Sequence, residues 1–274
     1  WYTGFDEDLW TSPLHGKIGY AWSTDGITWH KHSQNPVLFA EFEWEGNSLF
    51  RCAVIKDADT FKMWYGADGP PGVIGYATSV DGIDWNKHPA PILLQGPPLE
   101  WDDDGISPTT VIKEAEVYKM WYYGNRPGFP MEESKPQCGL ATSPDGINWT
   151  KYDDPETPDA PYAYSDPVLK VGPAGSWDSH RAFEPLVLKQ DTGGYFMMYS
   201  GLKAPINTST LQQKGFAYSP DGIHWEKDEN NPTIKDDHSF VELGRTIYSG
   251  SALHYDGKIH YWFACFHTPP YEAR

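Results

Sequence analysis

Four copies of one heptapeptide constrain this chain more than any other feature. They read S-T-D-G-I-T-W (23–29), S-V-D-G-I-D-W (79–85), S-P-D-G-I-N-W (143–149) and S-P-D-G-I-H-W (219–225). Short apolar segments precede them: I-G-Y-A-W, I-G-Y-A-T, G-L-A-T and G-F-A-Y. A second series runs W-Y-T-G (1–4), K-M-W-Y-G (62–66), K-M-W-Y-Y-G (119–124) and F-M-M-Y-S-G (196–201), with a degenerate fifth member H-Y-W-F-A-C (260–265). Before the last four of these lie A-V-I-K, T-V-I-K, L-V-L-K and A-L-H-Y. Internal repetition of this kind marks a repeat architecture and outranks every other sequence signal.

Each full repeat holds four strand-like segments. The first is short and apolar, as a strand buried on both faces should be. The second is aromatic, and the third ends at Ser or Thr. A D-G turn, a strong hairpin signal, then leads into I-x-W-x-K, which alternates apolar and polar like a half-exposed strand. Four antiparallel strands per repeat describe the blade of a β-propeller. The expected fold is therefore all-β, a single propeller domain over 1–274 with repeats near 1–40, 41–94, 95–170, 171–235 and 236–274. Repeats 44–94, 101–170 and 177–235 are complete. The chain enters at a second-type strand (Trp1–Gly4) and stops after another (His260–Cys265), so five blades with both terminal blades incomplete are expected. A four-bladed ring would leave one aromatic strand redundant.

Composition narrows the partners. A net charge of −17 excludes the basic footprint of a nucleic-acid binder. No apolar run reaches membrane-spanning length, so no membrane partner is expected. The acidity fits a soluble protein of the extracellular or periplasmic space. Aromatic residues form 15% of the chain, 13 of them Trp, and exposed aromatic faces are where sugars dock. Carbohydrate is thus the candidate ligand. Three scattered cysteines, Cys52, Cys138 and Cys265, allow one disulfide at most. No metal-ligand spacing is present around His238 or His254, so no metal and no cofactor are expected.

In a meandering blade the connections alternate between two faces. The first-to-second turns and the D-G turns share one face and are short. The second-to-third loops and the links between blades share the other, and these are long: 88–106, 125–138, 152–182, 202–214 and 228–248. Long loops on a rigid scaffold usually carry function. A residue repeated in every blade serves the blade; a polar residue present in one blade near the axis is a candidate for chemistry. Asp25, Asp81, Asp145 and Asp221 repeat and are turn residues. Trp29, Trp85, Trp149 and Trp225 repeat too, as do the acids Glu45, Asp102 and Asp178, each directly after a Trp.

What does not repeat is the start of each innermost strand, read in W-E-G-N-S-L-F-R (44–51), W-D-D-D-G-I-S-P (101–108) and W-D-S-H-R-A-F-E (177–184). Three past the Trp stand Asn47, Asp104 and His180. Four past stand Ser48, Gly105 and Arg181. Seven past stand Arg51, Pro108 and Glu184. In the last blade these positions fall near Tyr248 and Ser249.

The segment W-D-D-D-G-I-S-P-T-T-V-I-K-E-A-E-V-Y-K-M-W-Y-Y-G, with I-G-Y-A-T-S-x-D-G-I-x-W-x-K, resembles the five-bladed propeller glycosidases. These are glycoside hydrolase families 43, 32, 62 and 117 and the mannoside phosphorylases of family 130. The resemblance spans nearly the whole chain at the superfamily level. It implies a glycosidase, most simply a hydrolase. E-P-L-V-L-K-Q-D-T-G-G-Y-F-M-M-Y-S is similar to the family-43 segment holding the general acid, which places that role on Glu184. The family's second Asp stands in D-P; here that spot is Ser107-Pro108, and Asp104 is the nearest carboxylate. The family's base or nucleophile lies on a first-blade innermost strand outside this chain, with Asp6 and Asp8 as weak substitutes.

Glycoside cleavage commonly needs two carboxyl groups, one to protonate the leaving oxygen and one to activate water or attack the sugar. A general acid must keep its proton, so burial or a neighbouring negative charge has to raise its pKa. The expected catalytic pair is Glu184 with Asp104. Arg181, His180, Arg51, Asn47, Ser107 and Trp101 are the expected substrate-binding residues, although repetition makes packing the alternative for Trp101. Glu184 salt-bridged to Arg51 or Arg181 is the structural alternative. A phosphorylase and a non-catalytic carbohydrate-binding propeller are the other functional readings.

Overall fold

The computed structural model describes residues 1–5, 15–69, 71–125, 135–203, 212–235 and 245–267. Among them there is no α-helix; the one helical turn is a 3-10 turn at Glu43–Glu45. Two short ribbons come first, β1 (Tyr2–Phe5) with β2 (Gly16–Gly19), and β3 (Ala21–Trp22) with β4 (His30–Lys31). The second sheet runs β5 (Leu49–Asp57), β6 (Thr60–Ala67), β7 (Val73–Ser79) and β8 (Asn86–Lys87) in spatial order. A third follows with β9 (Gly105–Glu114), β10 (Val117–Asn125), β11 (Gln137–Ser143) and β12 (Thr150–Lys151), and β13 (Pro167–Leu169) adds to β11. The fourth is β14 (Arg181–Lys189), β15 (Tyr195–Leu202), β16 (Gln213–Ser219) and β17 (Glu226–Lys227). A last ribbon pairs β18 (Arg245–Tyr255) with β19 (Lys258–His267). All pairings within these sheets are antiparallel, so three meanders of four strands stand where the three complete repeats predict them.

Neighbouring sheets stack face to face and share their cores. Ile18 and Leu38 pack with Leu49, Met63 and Tyr65 of the second sheet. Trp64, Ile74 and Tyr76 pack with Trp101, Ile106 and Met120 of the third. Trp121, Cys138 and Leu140 pack with Val187, Met197 and Tyr199 of the fourth. Both thiols described, Cys52 and Cys138, are free.

The repeated residues build this scaffold. In each D-G turn one Asp oxygen accepts two backbone N–H groups, as Asp81 Oδ1 does from Ile83 (2.8 Å) and Asp84 (2.9 Å). These bonds correct one expectation. The segment I-x-W-x-K does not run as a strand throughout. Its first residues wrap around the Asp, which takes the N–H groups a ladder would need, and the fourth strand begins only after the Trp.

The glycine carbonyl of each turn then accepts two indole N–H groups. Gly146 O takes Trp149 (2.9 Å) from its own sheet and Trp64 (2.8 Å) from the second. Gly222 O takes Trp225 (3.0 Å) and Trp121 (3.1 Å); Gly82 O takes Trp85 (3.1 Å) and Trp1 (2.9 Å). Gly26 O takes Trp29 (3.2 Å) and Trp262 of the last ribbon (2.6 Å). The acids after the blade Trp are buried and paired with the Lys of I-x-W-x-K: Glu45 with Lys87 (2.8 Å), Asp102 with Lys151 (2.6 Å) and Asp178 with Lys227 (2.6 Å). Their repetition is structural.

Candidate active site

The innermost strands share one irregularity. The ladders of β5, β9, β14 and β18 each shift register near their starts, between partners of Phe50/Cys52, Trp121/Tyr122, Phe183/Leu186 and Ile247/Gly250. A bulge of this kind re-aims a side chain. Arg51 and Glu184, at equivalent repeat positions, both adopt positive φ, 47° and 57°. Pro108 stands at the third equivalent position, and its ring fixes φ near −65°. There the skipped residue is Thr109, whose hydroxyl donates to Trp121 O (2.9 Å) and lies 2.5 Å from Pro185 O of the fourth sheet.

The two bulged side chains meet. Arg51 Nη1 lies 2.7 Å from Glu184 Oε1, and Lys214 Nζ lies 3.2 Å from Oε2. Oε2 also accepts from Ser200 Oγ (2.6 Å) and Gln212 Nε2 (2.5 Å). Lys214 donates to Ser200 Oγ as well. The Glu184 side chain is only 2% exposed and Lys214 3%, whereas Arg51 is 24% exposed. The Arg51 guanidinium lies over the Tyr123 ring at 4.7 Å, and Tyr123 meets Phe183 edge-on at 6.0 Å.

Charge decides the state of this carboxyl. Burial alone would raise Glu184; the Arg51 and Lys214 cations and the Ser200 hydroxyl outweigh it and hold the group at about 2, below its ordinary 4.5. This is the opposite sign from the raised value expected of a general acid. The physical reason is that two cations, rather than a second carboxylate, converge on it. Burial lowers Lys214 against the attraction of Glu184.

Tyr123 also lines a cavity of about 460 Å³ on the long-loop side, together with Phe50, Asp68, Asp104, Ser107 and Asn125. The volume lies in the range of about 300–1,000 Å³ typical of small-ligand sites. Asp104 is exposed there, its N–H on Asn125 O (2.9 Å). Asp68, in the loop after β6, accepts from the backbone of Asn47 (3.1 Å) and Ser48 (2.8 Å) and is the second carboxylate of the cavity.

The structure thus brings Arg51 to Glu184, and Asp104 with Ser107 to the cavity that Tyr123 joins to that pair. Asn47 is exposed beside Asp68. His180 is buried at 3% with its N–H on Leu202 O (3.0 Å), and Arg181 is half-buried at the start of β14. Trp101 is a correction. It is 2% exposed, stacks on Tyr122 at 5.8 Å and donates to Ser165 Oγ (3.1 Å), so it packs rather than binds substrate. His254 stands 4.0 Å from Asp191. Asp6, Asp8 and His238 lie outside the described residues, as do the side chains of Tyr248 and Ser249.

Lys214, Ser200, Gln212 and Asp68 escaped the sequence reading. For Lys214 a signal existed. The third strands line up as I-G-Y-A, I-G-Y-A, C-G-L-A and K-G-F-A, so Lys214 fills a buried slot that holds Ile18, Ile74 and Cys138 elsewhere.

No family model matches the chain. An uncharacterised protein of Mycobacterium tuberculosis (strain CDC 1551 / Oshkosh) is 32% identical over 210 residues, 73% of this chain and 62% of that protein. The chain therefore spans less than two thirds of that relative's length. A 1,2-beta-oligomannan phosphorylase of Thermoanaerobacter sp. (strain X514) is 32% identical over 130 residues, 43% of this chain and 42% of its own. A solved glycosyl hydrolase from Bacteroides ovatus superposes with a TM-score of 0.67 at 18% identity, covering 96% of this chain and 76% of that one. The fold is that of the propeller glycoside hydrolases. Sheet stacking, tryptophan contacts and bulged inner strands are how this sequence builds it.

Proposed function

We propose that this chain cleaves a glycosidic bond in an oligo- or polysaccharide at the cavity between the second and third sheets. The observation that carries the reading is the cavity itself. Two carboxylates, Asp68 and Asp104, face it, and the ionised Arg51–Glu184–Lys214 cluster adjoins it through Tyr123. In this reading one cavity carboxyl protonates the leaving oxygen and the other activates water. Glu184 keeps its charge and aims the Arg51 guanidinium at a substrate oxygen. The scaffold proposed is a single domain of five blades. Its support is that Trp262 of the last ribbon reaches Gly26 O in the turn between β3 and β4, repeating the contact that joins the other sheets.

Phosphorolysis is the second reading. Arg51 presents a partly exposed cation beside the cavity, which suits an attacking phosphate, and one relative is named a phosphorylase. The test measures reducing-sugar release from aryl glycosides and oligosaccharides, with and without inorganic phosphate. Phosphate-independent turnover is expected, reduced at least about a hundredfold in Asp104→Asn, the usual scale for a lost acid or base. Turnover that requires phosphate selects phosphorolysis. Oligosaccharide affinity with no cleavage selects a binding propeller.

A further inference from the structure

The comparison of repeats that singles out Glu184 singles out a second cluster, at the opposite end of the same sheet. In the second and third sheets the strand ends near the first-to-second turn are charged. Lys62 pairs with Asp57 (2.7 Å) and Lys119 with Glu114 (2.9 Å). Across the ladder from these lysines stand Thr78 and Thr142. In the fourth sheet the acid is Gln190, the lysine is Phe196 and the threonine is Tyr218, with Phe196 and Tyr218 in register. An ion-paired edge has become an aromatic one.

The turn has changed with it. D-A-D-T (57–60) and E-A-E-V (114–117) become the longer Q-D-T-G-G (190–194). Gly193 and Gly194 both hold positive φ, 94° and 77°. A side chain on Gly194 would lie 2.7 Å from Ser219 O, and one on Gly193 would project into open space. These glycines leave a groove of about 540 Å³, also lined by Gln190, Tyr218, Trp225 and Glu226. Tyr218 is 44% exposed and leans on Phe196 at 5.6 Å. At the same register in the first ribbons, Trp22 has the His30 ring beside it at 4.7 Å; Tyr218 has the Glu226 carboxylate opposite it instead.

We propose that this groove is a second carbohydrate site, separate from the long-loop cavity, which takes a neutral sugar ring on Tyr218. The apolar C–H face of a pyranose packs on an exposed aromatic ring. The Gln190 amide and the Glu226 carboxylate stand at the rim to bond hydroxyls, the mix of an apolar floor with few polar groups that small-ligand sites use. No Lys or Arg lines the groove, the imidazole there, His224, is paired with Asp221 (2.7 Å), and Glu226 repels an anion, so an anionic ligand is disfavoured. The site depends on no assumption about catalysis and would hold a polymer on the face away from the cleaving cavity.

Calorimetry with cellotetraose, mannotetraose and xylotetraose tests this on the full chain, its Tyr218→Ala and Tyr218→Phe variants, and Asp104→Asn as a long-loop control. At least one tetrasaccharide should bind. Tyr218→Ala should weaken it at least about tenfold, about 1.4 kcal/mol, with an unchanged melting temperature. Tyr218→Phe, which keeps the ring, should bind as the parent does, and Asp104→Asn should retain the Tyr218-dependent binding. The proposal falls if none of the three binds, or if Tyr218→Ala binds as tightly as the parent. It falls too if Asp104→Asn abolishes all binding, which would place the sugar in the other cavity. Cleavage of a short aryl glycoside should not change in Tyr218→Ala, so loss of this site and loss of the proposed activity are read separately.

Discussion

Removing the negative charge at Glu184 leaves Arg51 and Lys214 converging with no anion between them. Breaking a buried pair in this way typically costs about 3–5 kcal/mol, because the remaining charge stays desolvated. The pH dependence follows from the same geometry. Glu184 is held at about 2 in the fold against an ordinary 4.5. A depressed carboxyl contributes stability that is full above its ordinary value and is lost as pH falls through the folded one. For Glu184 this amounts to about 3 kcal/mol, lost between about pH 5 and pH 2. Glu184→Gln should therefore unfold at lower urea than the parent at pH 7. Its deficit should shrink as pH falls towards 2, because the parent's glutamate then protonates too. Urea curves at a series of pH values measure the gap; a constant gap would mean that Glu184 is not ionised in the fold.

At the scale of the element, one contact is repeated across the sheets. A second-strand Trp donates its indole N–H to the D-G turn of another sheet. The fourth sheet has Met198 in place of that Trp, and no D-G-I-x-W motif follows residue 225 in this chain. Trp64→Phe should therefore cost about 1–2 kcal/mol, the worth of one net hydrogen bond plus some packing. Gly146 O would still be satisfied by Trp149, so the unfolding slope should not change. Equilibrium denaturation with an unaltered midpoint would show that the contact follows from packing rather than holding the sheets. The strands themselves were readable because each repeat serves as a control for the others. The bulges were not, since a positive φ at Arg51 or Glu184 breaks the usual preference for glycine there and leaves no mark in residue type. The sign of the Glu184 shift was hidden for a related reason. It depends on Arg51, on another sheet, and on Lys214, 30 residues along the chain, and sequence neighbours such as Phe183 and Pro185 say nothing of either.

Across the whole molecule, the order of sheets could be read from the repeats, but the meeting of the two chain ends could not. Trp262 and Gly26 are 236 residues apart, and a contact of that span has no local signature. If that bond closes the five-bladed ring proposed above, the end ribbons depend on it more than the central sheets do. Among the described residues the first two ribbons and the last hold two strands each, and none of them forms a four-stranded ladder. The second, third and fourth sheets are tied to one another by Trp64, Trp121 and shared cores. Proteins open in units whose free energies range from near zero to the global value, and weakly tied segments open first. Trp262→Phe removes the indole donor while keeping a ring against the turn. Amide hydrogen exchange should then quicken in β1–β4 and β18–β19, by about five- to tenfold for a loss of about 1 kcal/mol, while β5–β17 stay protected. Equal acceleration in every sheet would mean that the ribbons and the central sheets open as one unit. No change anywhere would mean that the ring, if it closes, is held by something other than this tryptophan.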